Sequence, residues 1–133
     1  MKRILIMGIS GAGKTTLARE LQARLNCAWI NADEIRKKYN DWDFSEEGRI
    51  RQSQRMREQA NLFNSDYVIA DFIAPLTRMR EEFSADFTIW MDTIQQSQFA
   101  DTDRMFVRPT SIEYNLRIKD FNYNIDDIIK ELL

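Results

Sequence analysis

The feature that most constrains this chain is a glycine-rich segment close to its N-terminus. Residues 8–15 read Gly-Ile-Ser-Gly-Ala-Gly-Lys-Thr and match the pattern G-x-x-x-x-G-K-[ST] without a mismatch. An apolar run, 3–7, precedes the segment, and residues 14–26 carry leucines at four-residue spacing. A buried strand, a tight loop and an amphipathic helix are therefore predicted in direct succession. In this context the loop backbone turns its N–H groups toward phosphate oxygens at the start of a helix.

The side chains of the loop fit a nucleoside triphosphate and a magnesium ion. Lys14 can reach the β and γ phosphates, the Thr15 hydroxyl can ligate Mg²⁺, and Thr16 supports the loop or lies near the α-phosphate. The chain lacks the Asn-Lys-x-Asp motif that reads guanine, so ATP is favoured over GTP. The residues predicted to bind the nucleotide are Gly8, Ser10, Gly11, Ala12, Gly13, Lys14, Thr15 and Thr16.

Strands and helices alternate along the rest of the chain, which predicts a three-layer α/β fold with a parallel sheet. Further strands are predicted where apolar runs occur, at 28–31, 67–70, 87–91 and 112–118. Helices are predicted at 33–39, from an N-cap at Ser45 to about Asn64, at 77–83 and at 126–133. The polar segment 95–109 is expected to be a mobile lid, and one domain, 1–133, is expected to contain all of these elements.

Composition excludes several kinds of site. The chain has no histidine, so catalytic systems and metal sites that need this residue are absent. The one cysteine, Cys27, cannot form an internal disulfide and is predicted to be a small core residue. No apolar run approaches the about 18 residues of a membrane helix. The protein is expected to be cytoplasmic, and a net charge of −2 makes nucleic acid an unexpected but not excluded partner.

Two aspartates directly follow predicted strands, at the sheet edge where open α/β folds bind ligands. Asp33 either orients or deprotonates an acceptor hydroxyl, or caps the helix that follows it. Asp71 either holds Mg²⁺ through water or caps the end of its strand. Together with Thr15, these aspartates are the predicted metal site.

The long helix predicted after Ser45 carries arginines on two faces. Arg49 and Gln52 share a stripe with Met56, Ala60 and Phe63. The three apolar residues are predicted to be core residues, so both polar side chains are predicted to point inward. A buried arginine requires an anion, either a substrate or a protein carboxylate. The arginines predicted to lie on a solvated face are Arg51, Arg55 and Arg57.

Other candidates have two interpretations each. Trp42 and Trp90 are predicted to be core residues, whereas Phe44 either stacks on a base or folds into the core. Arg104, with Arg108 as its reserve, either brings a cation from the lid to the phosphoryl group or belongs to a surface loop. Arg78 and Arg80 either touch phosphates or the adenine face, or lie on the surface.

Several segments between about residues 4 and 92 resemble the motifs of adenylylsulfate kinases. Residues 31–36 are similar to Asp-Gly-Asp-x-x-Arg, 44–49 to Phe-Ser-x-x-Asp-Arg, 71–75 to Ser-Phe-Ile-Ser-Pro, and 91–93 to Val-Asp-Thr. The resemblance implies a five-stranded parallel sheet of order 2-3-1-4-5 and an ATP-dependent phosphotransferase. It implies that Asp33 lies near the acceptor hydroxyl and Mg²⁺. The residues implied to bind the acceptor are Arg36, Phe44, Arg49, Gln52, Phe72 and Ile73.

The chain departs from the family motifs at four positions. Asn31 replaces the first aspartate of one motif, and Gln52 stands where the family has an asparagine. Asp71 and Ala74 replace the two serines of another, so no serine phosphoenzyme can form at position 74.

The sequence therefore predicts a small kinase that transfers the γ-phosphoryl group of Mg-ATP to a hydroxyl of a small anionic acceptor. The resemblance implies adenylylsulfate and its ribose 3′-hydroxyl as that acceptor. The predicted catalytic residues are Lys14, Asp33 and Arg104. Two alternatives stay open at this point: a kinase of a polynucleotide end or modified nucleoside, and an ATP-binding module without catalysis. The oligomeric state is not predicted.

Overall fold

Five parallel strands form the central sheet of the computed structural model, which describes residues 1–133. The strands are β1 (Lys2–Met7), β2 (Ala28–Asn31), β3 (Tyr67–Asp71), β4 (Phe87–Met91) and β5 (Leu116–Ile118). Their spatial order is β2-β3-β1-β4-β5, and every neighbouring pair is parallel. The predicted α/β class and the implied strand order are both confirmed.

Six helices connect and flank the strands. They are α1 (Lys14–Leu25), α2 (Ala32–Tyr39), α3 (Glu46–Ala60), α4 (Thr77–Phe83), α5 (Ala100–Met105) and α6 (Ile125–Leu132). None of them is long and apolar enough to cross a membrane.

Each face of the sheet is covered by its own hydrophobic core, because side chains alternate between the faces along a strand. Ile4 and Ile6 of β1 belong to the first core, which also contains Leu17 and Leu21 of α1 and Ile128 of α6. The second core lies on the opposite face and contains Leu5, Met7, Met56, Phe83 and Trp90. Burial on both faces explains why the strands read as continuous apolar runs.

Two predicted caps have different outcomes in the structure. The Ser45 side chain accepts a hydrogen bond from the Gly48 N–H and begins α3, as predicted. The cap of α2 is Asn31, whose Oδ1 accepts from the N–H groups of Asp33 and Glu34. Asp33 is therefore not the cap, and its carboxylate is free for another role.

Three core assignments made from the sequence are wrong or incomplete. Trp42 is 46% exposed, because ion pairs of Arg51 with Asp41 and Asp43 hold its loop at the surface. Phe63 is 44% exposed, because α3 ends at Ala60 and the chain leaves the helical stripe before residue 63. Cys27 is only partly buried, and burial raises the pKa of its thiol to about 11.

The region after β4 also differs from the prediction. The last strand spans three residues only, and Ile112 lies outside it with 94% exposure. The segment 95–109, expected to be a mobile lid, contains the short helix α5.

Trp90 of β4 is 3% exposed, which confirms it as a core residue.

Candidate active site

The glycine-rich loop lies at the carboxyl end of β1 and leads directly into α1, as its sequence context predicts. Gly8 has φ 152°, and a Cβ atom there would lie 2.7 Å from the backbone oxygen of Met91 at the end of β4. The Thr93 hydroxyl donates to the Ala12 backbone oxygen at 2.7 Å. The loop is therefore held against the neighbouring strand and its following residues before any ligand contacts it.

Lys14 turns its side chain back onto the loop and donates from Nζ to the Ile9 backbone oxygen at 3.0 Å. Burial lowers the pKa of Lys14 to about 8, and the negative charges of Asp71 and Asp33 partly oppose this shift. An ammonium group at the start of α1 and within reach of phosphates matches the predicted role.

A buried carboxylate stands beside the first helical hydroxyl, where the magnesium site is predicted. The Thr15 hydroxyl donates to Asp71 Oδ2 at 3.0 Å, and the Trp29 indole N–H donates to Asp71 Oδ1 at 3.2 Å. Asn31 Nδ2 is 3.4 Å from the same Oδ1 atom. Burial raises the pKa of Asp71, against the lowering effect of these hydrogen bonds and of Lys14.

These residues fit a magnesium ion. Mg²⁺ takes hard oxygen ligands and usually binds through one or two side-chain oxygens together with substrate phosphates and water. The Thr15 hydroxyl and the Asp71 carboxylate supply such oxygens at the loop, and the exposed Asp33 lines the same cavity.

A cavity of about 440 Å³ joins the loop to the predicted acceptor residues. On the loop side it is lined by Ser10, Gly11, Gly13, Lys14, Thr15 and Thr16. On the acceptor side it is lined by the predicted residues Asp33, Arg36, Phe44, Arg49, Gln52, Asp71, Phe72 and Ile73. Gly8 and Ala12, also predicted to bind nucleotide, are the buried residues of the loop and do not line the cavity.

Two buried guanidinium groups dominate the acceptor side. Arg36 and Arg49 are 5% and 8% exposed, and neither forms an ion pair with a protein carboxylate. Arg36 donates to the backbone oxygens of Asp41 and Asp43, and Arg49 donates to that of Phe44. Burial lowers the pKa of Arg49 most, and the positive charge of Arg36 lowers it further. Two buried cations that form no ion pair with the protein can attract an anion into the cavity.

Phe44 lies between these arginines and the solvent. Its ring centre is 4.3 Å from the Arg36 guanidinium carbon and 5.3 Å from that of Arg49. The side chain is 51% exposed, so one part of the ring contacts the arginines while another part stays open. This placement excludes Phe44 from the core and agrees with the stacking interpretation.

Gln52 points inward from α3 as its helical position predicts, and it is 4% exposed. Its Nε2 donates to the Ala32 backbone oxygen at 2.9 Å, which fixes the orientation of the amide. Its Oε1 is buried and has no hydrogen-bond partner.

The arginines predicted to come from the later segments lie away from this cavity. Arg104 of α5 pairs with Asp101, and its side chain is 71% exposed. Arg108 pairs with Asp92 and lies over the Trp90 ring. Arg78 is exposed on α4. Arg80 is 6% exposed and bonds to backbone oxygens and Glu113, so neither its phosphate-contacting nor its surface interpretation holds.

Two residues at the site were not found from the sequence. Phe121 follows β5, is 58% exposed, and lies 3.1 Å from the position of a Cβ built on Gly13. An aromatic residue just after a strand at the ligand-binding edge was the available signal. Thr102 accepts a hydrogen bond from Arg49 Nη2 at 3.0 Å. No sequence pattern signals a contact between residues 53 positions apart.

Comparison with known proteins identifies the family. The family model for adenylylsulphate kinase matches residues 2–103 of the chain. The chain belongs to the adenylylsulphate kinase family. This membership makes it an ATP-dependent P-loop kinase. The acceptor residues that line the cavity are those that the resemblance to this family implied. A search of the curated protein sequences gives no match.

Solved kinase structures share the fold of this adenylylsulphate kinase family member. The Mycobacterium tuberculosis APS kinase CysC in complex with AMPPNP and APS has a TM-score of 0.74 at 20% identity, covering 98% of this chain and 94% of that one. The Acinetobacter baumannii shikimate kinase in complex with shikimate has a TM-score of 0.65 at 18% identity, covering 99% and 90%. A gluconokinase from Sinorhizobium meliloti 1021 has a TM-score of 0.67 at 15% identity, covering 99% and 89%.

Proposed function

We propose that this kinase transfers the γ-phosphoryl group of Mg-ATP to the ribose 3′-hydroxyl of adenylylsulfate. The observation that carries the proposal is one cavity with a phosphate-binding loop on one side and, on the other, the buried Arg36 and Arg49, which form no ion pair. An acceptor with an anionic group for the arginines and a base for the Phe44 ring satisfies both features. Family membership and the APS-bound structural neighbour support this choice.

The loop side neutralises the charge of the transferring group. Lys14 leaves the Ile9 oxygen and contacts phosphate oxygens, and the Thr15 hydroxyl and the Asp71 carboxylate are the groups that would hold Mg²⁺. The magnesium ion supplies positive charge to the phosphate oxygens when it is bound. The exposed Phe121 ring beside Gly13 offers the adenine of ATP a stacking surface on the opposite flank of the loop.

Asp33 is the residue that receives the attacking hydroxyl. Asn31 caps α2, and therefore the Asp33 carboxylate is available at the cavity. It accepts a hydrogen bond from the acceptor hydroxyl and takes its proton as the oxygen bonds to the γ-phosphorus. The bond from the γ-phosphorus to the bridging oxygen breaks, and ADP leaves. Positioning and charge stabilisation supply most of the rate in such transfers.

The segment 95–109 acts as a lid in this proposal, with α5 kept in place beside Arg49 by the Thr102 hydroxyl. Arg104 lies on α5 and pairs there with Asp101, so its side chain has to exchange this partner for the phosphoryl oxygens. A guanidinium that turns to the phosphoryl group neutralises its charge only when both substrates are bound.

A kinase of a modified nucleoside or of a polynucleotide end is the second candidate. The exposure of Trp42, two residues before Phe44 at the cavity rim, favours it, because a second free aromatic side chain suits a second base. This candidate requires stimulation by oligonucleotides and a steep loss of activity with salt.

The test is ADP release from Mg-ATP with and without adenylylsulfate. Adenylylsulfate should stimulate the wild-type protein, and Lys14→Ala should abolish the stimulation because the transferring phosphoryl group loses its ammonium partner. Lys37→Ala, on an exposed position of α2, is the matched control and should retain the activity. No stimulation in the wild-type protein would refute adenylylsulfate as the acceptor, and oligonucleotides and nucleosides would then be compared in the same assay.

A further inference from the structure

Arg49 is held by a hydroxyl group from a distant segment. Its Nε donates to the Phe44 backbone oxygen within the same loop–helix unit, whereas its Nη2 donates to the Thr102 hydroxyl of α5, each at 3.0 Å. Thr102 therefore supplies the one side-chain contact that orients the guanidinium plane of Arg49 from outside α3 and its preceding loop.

The chemistry of this partner is suited to a binding site. A carboxylate at the same place would neutralise the arginine and compete with an anionic substrate. A hydroxyl accepts the hydrogen bond but leaves the positive charge in place. Arg49 is therefore oriented without being neutralised, which preorganises it for a ligand.

The segment around Thr102 is itself anchored beside the turn at Pro75 that follows β3. The Val107 N–H donates to the Pro75 backbone oxygen at 2.7 Å, and the Phe106 ring centre lies 5.3 Å from the Arg80 guanidinium carbon. At the other end, the Asp103 carboxylate accepts from the N–H and the hydroxyl of Ser97. These contacts fix the position of the Thr102 hydroxyl relative to the cavity.

We propose that Thr102 is a positioning residue for the acceptor anion and that α5 completes the acceptor site through its contact with Arg49. The inference rests on the proposed function for the identity of the acceptor but not for the contact itself. Thr102 touches no reacting atom, so its effect belongs to acceptor affinity and not to the chemical step.

The kinetic test compares Thr102→Val with Thr102→Ser. Valine keeps the shape of threonine and removes the hydroxyl, whereas serine keeps the hydroxyl. We expect Thr102→Val to raise the KM for adenylylsulfate about fivefold to tenfold, the effect of one ordinary hydrogen bond, with kcat and the KM for ATP within about twofold. Thr102→Ser should behave like the wild-type protein. An unchanged KM for adenylylsulfate in Thr102→Val, or an equal rise in the KM for ATP, would overturn the proposal.

A second measurement is independent of the acceptor's identity. The Arg49 side-chain signals in ¹⁵N NMR, assigned with Arg49→Lys, should show slow rotation of the guanidinium group in the wild type and in Thr102→Ser. Rotation should be faster in Thr102→Val, and sodium sulfate should perturb these signals at several-fold higher concentration than in the wild type.

The two measurements separate the two proposals. Absence of adenylylsulfate-stimulated turnover in the wild type refutes the proposed acceptor, and the NMR comparison then decides the role of Thr102. Equal rotation rates and equal sulfate responses in the wild type and Thr102→Val show that Thr102 does not position Arg49, whichever acceptor is used.

Discussion

In the proposed reaction Lys14 binds phosphate as a cation, yet burial lowers its pKa to about 8 in the folded chain. Near that pH a large part of the free protein carries a neutral Lys14. Bound phosphates favour the charged form and raise its pKa again, so ATP binding should take up protons at Lys14. The affinity for ATP should consequently fall as pH rises through about 8.

Calorimetric titration of ATP at pH 8 in two buffers with different ionisation enthalpies measures this uptake. We expect about half a proton more than the phosphates of ATP alone account for. Lys14→Arg is the control, because an arginine stays charged throughout and should show no such uptake. Equal proton uptake by Lys14→Arg and the wild type would contradict the prediction.

The burial of individual side chains was predicted correctly where the local helical periodicity determines it. Arg49 and Gln52 follow the helical stripe of α3 inward, as their spacing from Met56 requires. Trp42 has no periodic context, and its exposure depends on ion pairs between Asp41 and arginines of α3 that no local pattern encodes.

At the scale of elements, α4 is tied to the turn at Ala74 and Pro75 by one buried side chain. Arg80 donates to the backbone oxygens of Ala74, Pro75 and Val107 and forms an ion pair with Glu113. Ala74 has φ 48°, an unfavourable conformation for a residue with a Cβ atom. Arg80 therefore helps to hold a strained turn in the wall of the cavity.

Arg80→Met should lower the free energy of unfolding by roughly 3 kcal/mol, since it removes the positive charge that pairs with Glu113 and leaves the backbone oxygens of Ala74 and Val107 without their donor. Urea denaturation measures the change. Arg78→Met, on the exposed face of the same helix, should stay within about 0.5 kcal/mol of the wild type. A loss equal to that of the Arg78 variant would show that the buried contacts of Arg80 contribute little.

The helices and strands were predictable where their sequence signals are local and not where they depend on distant contacts. The strands β2 and β4 and the helix α4 have the predicted boundaries, because apolar runs and helical spacing are local signals. The end of α3 and the presence of α5 depend on other interactions. In α3 the Leu62 N–H bonds to the Gln59 oxygen and closes the helix early. Contacts of Thr102 with Arg49 and of Val107 with Pro75 fix α5 and the residues that follow it.

At the scale of the whole molecule, the two cores share one sheet. β1 and β3 contribute alternate side chains to both, for example Ile69 to the first core and Val68 to the second. Disruption of either core therefore removes support from strands that the other core needs. The chain should unfold in a single cooperative transition, as expected of one domain.

Two tryptophans can report on the cores separately. Trp29 packs against the first core and Trp90 belongs to the second. We consider variants that keep only one of these two tryptophans, made in a Trp42→Phe background. For each variant, fluorescence and circular dichroism should give the same urea midpoint. Midpoints that differ between the two probes of one variant would contradict a single transition.

The contact between Gly8 and the end of β4 has a consequence for how this chain can change over evolutionary time. Backbone meets backbone there, since a Cβ on Gly8 would lie 2.7 Å from the Met91 oxygen. The position of the loop thus depends on the spacing between β1 and β4. Main-chain hydrogen bonds determine this spacing, and side chains do not. Apolar residues throughout both cores can be exchanged for others of suitable volume while the loop keeps its place. The amino acids of the interior can therefore change while the geometry of the phosphate-binding loop stays the same.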